Sequence, residues 1–221
     1  LAKNNNLSDI FKILLNRYGH RQWWPGETAF EVCVGAILTQ NTNWSNVEKA
    51  IANLKKADLL TIKGIASITK DELAILIRPS GYFNVKAQRL IDFVSFLKKN
   101  YNGNLELLFK KRWHDTRDEL LSVRGIGPET ADSILLYAGN KPSFVVDTYT
   151  RRIFNRLGLV DEGISYDELR NFFMERLPQD TTLFNEYHAL IVQLGKEICR
   201  TKPRCRECCL LAYCHNGRMQ T

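Results

Sequence analysis

"LLSVRGIGPETADSIL", residues 120–135, decides the fold. An apolar run closes at Val123, two glycines (Gly125 and Gly127) flank Ile126, and a second run opens behind Pro128, which is the pattern of helix, tight turn and helix. Such a turn brings the free N–H groups of the loop and of the following helix to the surface together, where they suit an anion. Glycine leaves room for a phosphate and permits backbone angles that other residues adopt only under strain. Ile126 is expected to anchor the hairpin in the core. On the residues alone, a helix C-cap with a second glycine nearby satisfies the same pattern.

Outward from this turn the helical period continues in both directions, and no segment alternates as a strand does. "LSDIFKILLNRYG" spaces Ile10, Ile13 and Leu14 helically and stops at Gly19. "TAFEVCVGAILTQ", apolar nearly all round, predicts a central buried helix. "NVKAQRLIDFVSFLKKNY" puts Leu90, Phe93, Val94 and Leu97 on one face and its lysines elsewhere, the pattern of a surface helix. About ten helices joined by short turns are expected, hence an all-α chain.

The 221 residues, 44% of them apolar, suffice for one large domain or two small lobes. No run approaches the roughly 18 apolar residues of a membrane span, and "LAKNNNLSDIF" lacks a secretion pattern, so the expectation is a cytoplasmic protein with no membrane partner. A net charge of +7 suits a polyanion. The charge gathers in residues 196–218, where six basic residues face two acidic ones. Cys199, Cys205, Cys208, Cys209 and Cys214 crowd into the same tail, which favours a metal site over disulfides.

"VRGIGPETA" resembles the helix-hairpin-helix motif of DNA repair glycosylases, and "FVVDT", ending on Asp147 and Thr148, falls where that family carries its catalytic aspartate. Together they are similar to the endonuclease III superfamily from the first helix to Cys214. The resemblance implies two helical lobes with DNA in the groove between them. A six-helix barrel with the hairpin would occupy residues 21–133, and residues 1–20 with 134–221 would form an iron-sulfur cluster lobe. Gly125, Ile126, Gly127 and Thr130 would then meet the DNA. The partner would be duplex DNA carrying a damaged base, and the enzyme a monomer located at the nucleoid.

The family's bifunctional members carry a lysine two residues after the second glycine; Glu129 stands there in this chain. A carboxylate cannot form the Schiff base that strand cleavage by lyase chemistry needs, because only an amine condenses with the opened sugar. The expected activity is therefore a monofunctional DNA glycosylase of base excision repair. Asp147 would stabilise the cationic, oxocarbenium-like sugar or orient a water, although an aspartate before "TYTRRIF" also reads as a helix cap.

An enzyme that acts on a base flips it out and holds it, usually against aromatic faces. "QWWPGE" supplies Trp23, Trp24 and Pro25, and "ILTQNTNW" supplies Gln40 and Trp44. Trp24, Pro25, Trp44 and Glu129 are the expected base pocket, and Gln40 aligns with the family's residue that wedges into the vacated stack. "LTQNT" with the tryptophan-proline pair looks most like the branch that removes 3-methyladenine and related alkylated purines. Such a cationic base gains cation-π attraction of about 0.5 to 2 kcal/mol on indole. A mismatch thymine or uracil glycosylase, and a non-catalytic lesion-binding protein, stay open on the same residues.

Cys199-x5-Cys205-x2-Cys208-x5-Cys214 supplies four thiolates and is similar to the family's 4Fe-4S loop, "CRTKPRC" especially. The family's first gap is usually six residues, and Cys209 competes with Cys208 as third ligand. Zinc is the alternative, since four cysteines with one C-x2-C pair satisfy it too. Lys202, Arg204 and Arg206 in this loop are expected on the phosphate backbone, giving salt-sensitive affinity without sequence information.

Overall fold

The computed structural model describes residues 7–21 and 23–219. Among these the regular structure is all helical: α1 (Leu7–Tyr18), α2 (Ala29–Leu38), α3 (Trp44–Lys56), α4 (Ile62–Ala66), α5 (Lys70–Leu76), α6 (Phe83–Tyr101), α7 (Leu105–Phe109), α8 (Trp113–Ser122), α9 (Pro128–Ser133), α10 (Thr148–Leu157), α11 (Tyr166–Met174), α12 (Thr181–Glu197) and α13 (His215–Met219). None is long and apolar enough to cross a membrane. The segments fold where their caps instruct. Thr28, Asn43, Thr61 and Asp180 each accept from the backbone N–H three residues on, and Thr69–Glu72 and Ser165–Glu168 close reciprocal capping boxes.

Two compact units divide the chain. One is Trp24–Lys141, built around α2, nine of whose ten residues are buried. Its core joins Val34, Ile37 and Leu38 to Leu54, Leu90, Phe93, Leu97, Ile126 and Leu135. The other unit joins α1 to the chain from Pro142 onward. There Phe144 stacks on Phe173 at 4.0 Å, Phe154 and Phe184 pack around them edge-on, and the Tyr187 hydroxyl donates to the Leu7 carbonyl at 2.9 Å, fixing α1 to α12.

Two details depart from the helical pattern. α9 runs into a π-helical turn, Ile134–Ala138, so residues 128–138 are not one uniform helix. On α6 the lysines do not all face solvent: Lys86 is 1% exposed, and its Nζ donates to the carbonyls of Leu38 at 2.8 Å and Ser80 at 2.7 Å. Burial lowers this amine to about 8. It closes the C-terminus of α2, whose last carbonyls lack partners within the helix. Amphipathic spacing cannot distinguish such a lysine from one that dissolves in water.

Candidate active site and cysteine centre

The hairpin is built as its glycines demand. Gly125 has φ +86°, the left-handed region, and a Cβ there would stand 2.4 Å from Cγ of Arg89. Ile126, 4% exposed, donates its N–H to the Val123 carbonyl and anchors the turn. Gly127 caps α9 with ordinary backbone angles, φ −91°, and a Cβ there would meet no atom within 4 Å. That open face lies beside the first N–H groups of α9. Arg117 on α8 grips the fully buried Asp132 on α9 through two bonds of 2.9 and 3.1 Å, so the hairpin helices are locked together.

Gln40 bridges to this hairpin. Its Nε2 donates to the Gly125 carbonyl at 3.0 Å and to Thr130 Oγ1 at 2.8 Å, while Arg89 donates to its Oε1. Thr130 is buried, and its hydroxyl accepts from Gln40. Glu129 is exposed in the first turn of α9, where a carboxylate complements the helix dipole.

Trp24 and Trp44 come together, with ring centroids 4.9 Å apart and edge to face. Both lean on Gly35 of α2, where a Cβ would come within 3.4 to 3.5 Å of their rings. A third ring completes the cluster: Tyr137, carried on the π turn, stacks on Trp24 at 4.8 Å. Sequence reasoning missed Tyr137, since a tyrosine in an apolar helical run carries no signal of its own. The Trp44 indole N–H donates to Glu48 at 2.9 Å. Pro25 is exposed beside Trp24. Trp23 belongs to the other unit, with the Lys196 ammonium over its ring.

Asp147 is indeed a cap, and more than a cap. Its Oδ1 accepts from the Thr150 N–H at 2.8 Å and the Thr150 hydroxyl at 2.9 Å, which starts α10. Its Oδ2 lies 3.6 Å from Nε2 of His188 on α12. Burial alone would raise the Asp147 carboxyl, but His188 and the two Thr150 donors outweigh it and hold the group below the usual carboxylate range. His188, 5% exposed, gave no sign in the sequence, because its approach to Asp147 crosses 41 residues of chain.

Cys199, Cys205, Cys208 and Cys214 line one cavity with Arg156, Ile198, Pro203 and Leu211; Cys209 is not among its lining residues. Two N–H groups already point at sulfur, from Arg156 to Cys199 at 3.4 Å and from Gly217 to Cys214 at 3.3 Å. Arg152 and Arg156 on α10 hold the loop by the carbonyls of Gly195, Cys199, Arg200 and Thr201. Among the described residues no group of three or more His, Cys, Asp or Glu side chains is already placed to hold a metal ion. Lys202, Arg204 and Arg206 are exposed on the same loop.

Residues 34–179 match the family model of the HhH-GPD superfamily of base excision DNA repair proteins. A chain of Methanocaldococcus jannaschii, provisionally named a DNA repair glycosylase, is 52% identical over 93% of this chain and 94% of its own. Endonuclease III of Thermotoga maritima is 32% identical over 94% of this chain and 92% of its own. Among solved structures, the 3-methyladenine DNA glycosylase of H. pylori, bound to 1,N6-ethenoadenine, superposes with a TM-score of 0.77 at 34% identity, covering 87% of this chain and 98% of that one.

Proposed function

This chain belongs to the HhH-GPD superfamily of base excision DNA repair proteins, endonuclease III-like in fold, and from that premise we propose a monofunctional DNA glycosylase acting on alkylated purines such as 3-methyladenine. The observation that carries the chemistry is Asp147, a carboxylate only 13% exposed whose carboxyl is nevertheless held below the usual carboxylate range. Cleavage of the N-glycosidic bond sends its electron pair to the departing base and leaves positive charge on the sugar. A fixed carboxylate in a medium of low dielectric stabilises that charge far better than water would. Water then supplies the oxygen that bonds to the anomeric carbon and releases a proton. A ring-alkylated purine is cationic before cleavage and neutral after it, so it needs no strong acid to leave.

Trp24, Trp44 and Tyr137 support the substrate class, since their electron-rich faces attract a cationic base more than a neutral one. The likeness to a 3-methyladenine glycosylase points the same way. Glu129 supports hydrolysis without strand cleavage, because no amine stands at that position to form an imine. The open turn at Gly127 and the exposed Lys202, Arg204 and Arg206 are suited to the phosphates of duplex DNA. Cys199, Cys205, Cys208 and Cys214 would hold a 4Fe-4S cluster. A cluster held by these cysteines would supply iron-thiolate bonds that tie down the basic loop.

The deciding experiment offers duplex oligonucleotides carrying 3-methyladenine, hypoxanthine, uracil or a G-T mismatch. The alkylated base should be released fastest, leaving an uncut abasic strand, and Asp147→Asn, which keeps the helix cap, should bind DNA but lose turnover by at least 100-fold. Preferred release of thymine or uracil would move the enzyme to the mismatch class. No release of any base would make it a binding protein, and prompt nicking without alkali would restore lyase chemistry.

A further inference from the structure

We infer that His188 is a positioning residue for Asp147, holding the second carboxylate oxygen from a separate helix in the attitude that glycosidic cleavage requires. The inference rests on the catalytic reading of Asp147.

The two oxygens of Asp147 have different partners. Oδ1 is committed to its own helix by two donors from Thr150. A cap needs no more than this. Oδ2 faces instead across to α12, where His188 Nε2 stands 3.6 Å away. Both side chains are largely shielded from water, with side-chain exposures of 6% for His188 and 13% for Asp147. A carboxylate buried this far is costly unless its charge is compensated. His188 is itself buried on α12, a helix tied to α1 by the Tyr187 bond to the Leu7 carbonyl.

Several charged groups on and around these helices have partners of their own. On α10, Arg151 donates to the Ile164 carbonyl, and Arg152 donates to the carbonyls of Cys199 and Gly195. On α12, Glu186 accepts from the Arg21 backbone and His20. From α13, His215 packs against Gly158, beyond the opposite end of α10. Beside Asp147, Thr150 satisfies Oδ1 alone, and His188 is the side chain that faces Oδ2. An imidazole beside the carboxylate therefore does what a cap cannot: it sets the plane of the group through Oδ2 and opposes its protonation.

The sign of the effect follows from the balance at Asp147. Burial pushes its carboxyl up, and His188 together with Thr150 brings it below the ordinary range. Without His188, Thr150 acts alone and the carboxylate takes up a proton at higher pH. Activity that needs the ionised form is then lost at a pH where the natural enzyme still works.

The test is single-turnover release of 7-methylguanine from duplex DNA by the intact, cluster-bearing protein, measured against pH, with DNA Kd and Tm for each variant. His188→Leu should move the acid limb up by about one pH unit and lower the rate at neutral pH by about tenfold, with Kd within twofold. His188→Gln, whose amide N–H can donate to Oδ2, should recover most of that rate. If the leucine variant does not fold, His188→Asn replaces it with the same expectation. Folded variants that keep the natural rate and acid limb, or a glutamine variant as slow as leucine, overturn the inference. Asp147→Asn separates the two readings: full turnover there removes the catalytic aspartate itself, whereas a dead Asp147→Asn beside unaffected His188 variants removes only the role of His188.

Discussion

Gly125 and Gly127 stand one residue apart and answer to different constraints. Gly125 is required by the protein itself, since its φ of +86° and the Arg89 side chain both exclude a Cβ. Gly127 is required by nothing inside the chain: its φ is ordinary and its surroundings are empty. Gly125→Ala should therefore cost about 2 kcal/mol, seen as a fall in Tm of roughly 5 °C. Gly127→Ala should leave Tm unchanged and weaken binding to duplex DNA by about tenfold, the worth of one lost phosphate contact. A calorimetric scan and a binding titration on the two variants check the contrast. An unchanged Kd for Gly127→Ala would show that the open face of the turn is not where DNA sits.

At the scale of elements, the π turn after α9 is the least expected piece of the fold. An extra residue in a helical turn costs hydrogen-bond geometry, and such turns recur at functional sites because they redirect a side chain. Here Ile134, Leu135 and Leu136 remain buried while Tyr137 is delivered to the face of Trp24. A stacked aromatic pair adds about 0.5 to 1.5 kcal/mol beyond its buried area. Tyr137→Ala should thus slow release of 7-methylguanine by roughly 3- to 10-fold while lowering Tm by only a few degrees. Trp44→Ala should depress release of that cationic base more than release of neutral hypoxanthine, and equal losses on both substrates would count against a pocket chosen for positive charge.

At the scale of the whole molecule, each unit has its own core, and the second depends on joining the two ends of the chain. α1 is tied to α12 through Tyr187, and the C-terminal loop is strapped to α10 through Arg152 and Arg156. The cavity within that loop, lined by four cysteines but not by Cys209, makes a separable expectation. With a 4Fe-4S cluster in that cavity as proposed, Cys209→Ser should keep iron and a brown colour, whereas Cys208→Ser should lose both and unfold at lower temperature, because a metal centre that binds the folded chain stabilises it. Iron analysis alongside a melting curve reads both results, and retention of iron by Cys208→Ser would move the third ligand to Cys209.

What the sequence determined by itself is what travels through short range. Apolar spacing and capping residues such as Thr69 and Ser165 fix the helices, and Gly-Ile-Gly fixes the hairpin, because these signals act within a turn or two of backbone. The clustering of Cys199, Cys205, Cys208 and Cys214 at one cavity and the capping role of Asp147 follow from equally local spacing. Only the tertiary structure decided which distant side chains meet. His188 reaches Asp147, Tyr137 reaches Trp24, Arg89 and Gln40 close on Gly125, and Lys86 turns inward to cap α2. Each of these partners looks ordinary in its own segment, since a histidine, tyrosine or lysine at a helical position acquires its chemistry from whatever the packing of other helices sets against it.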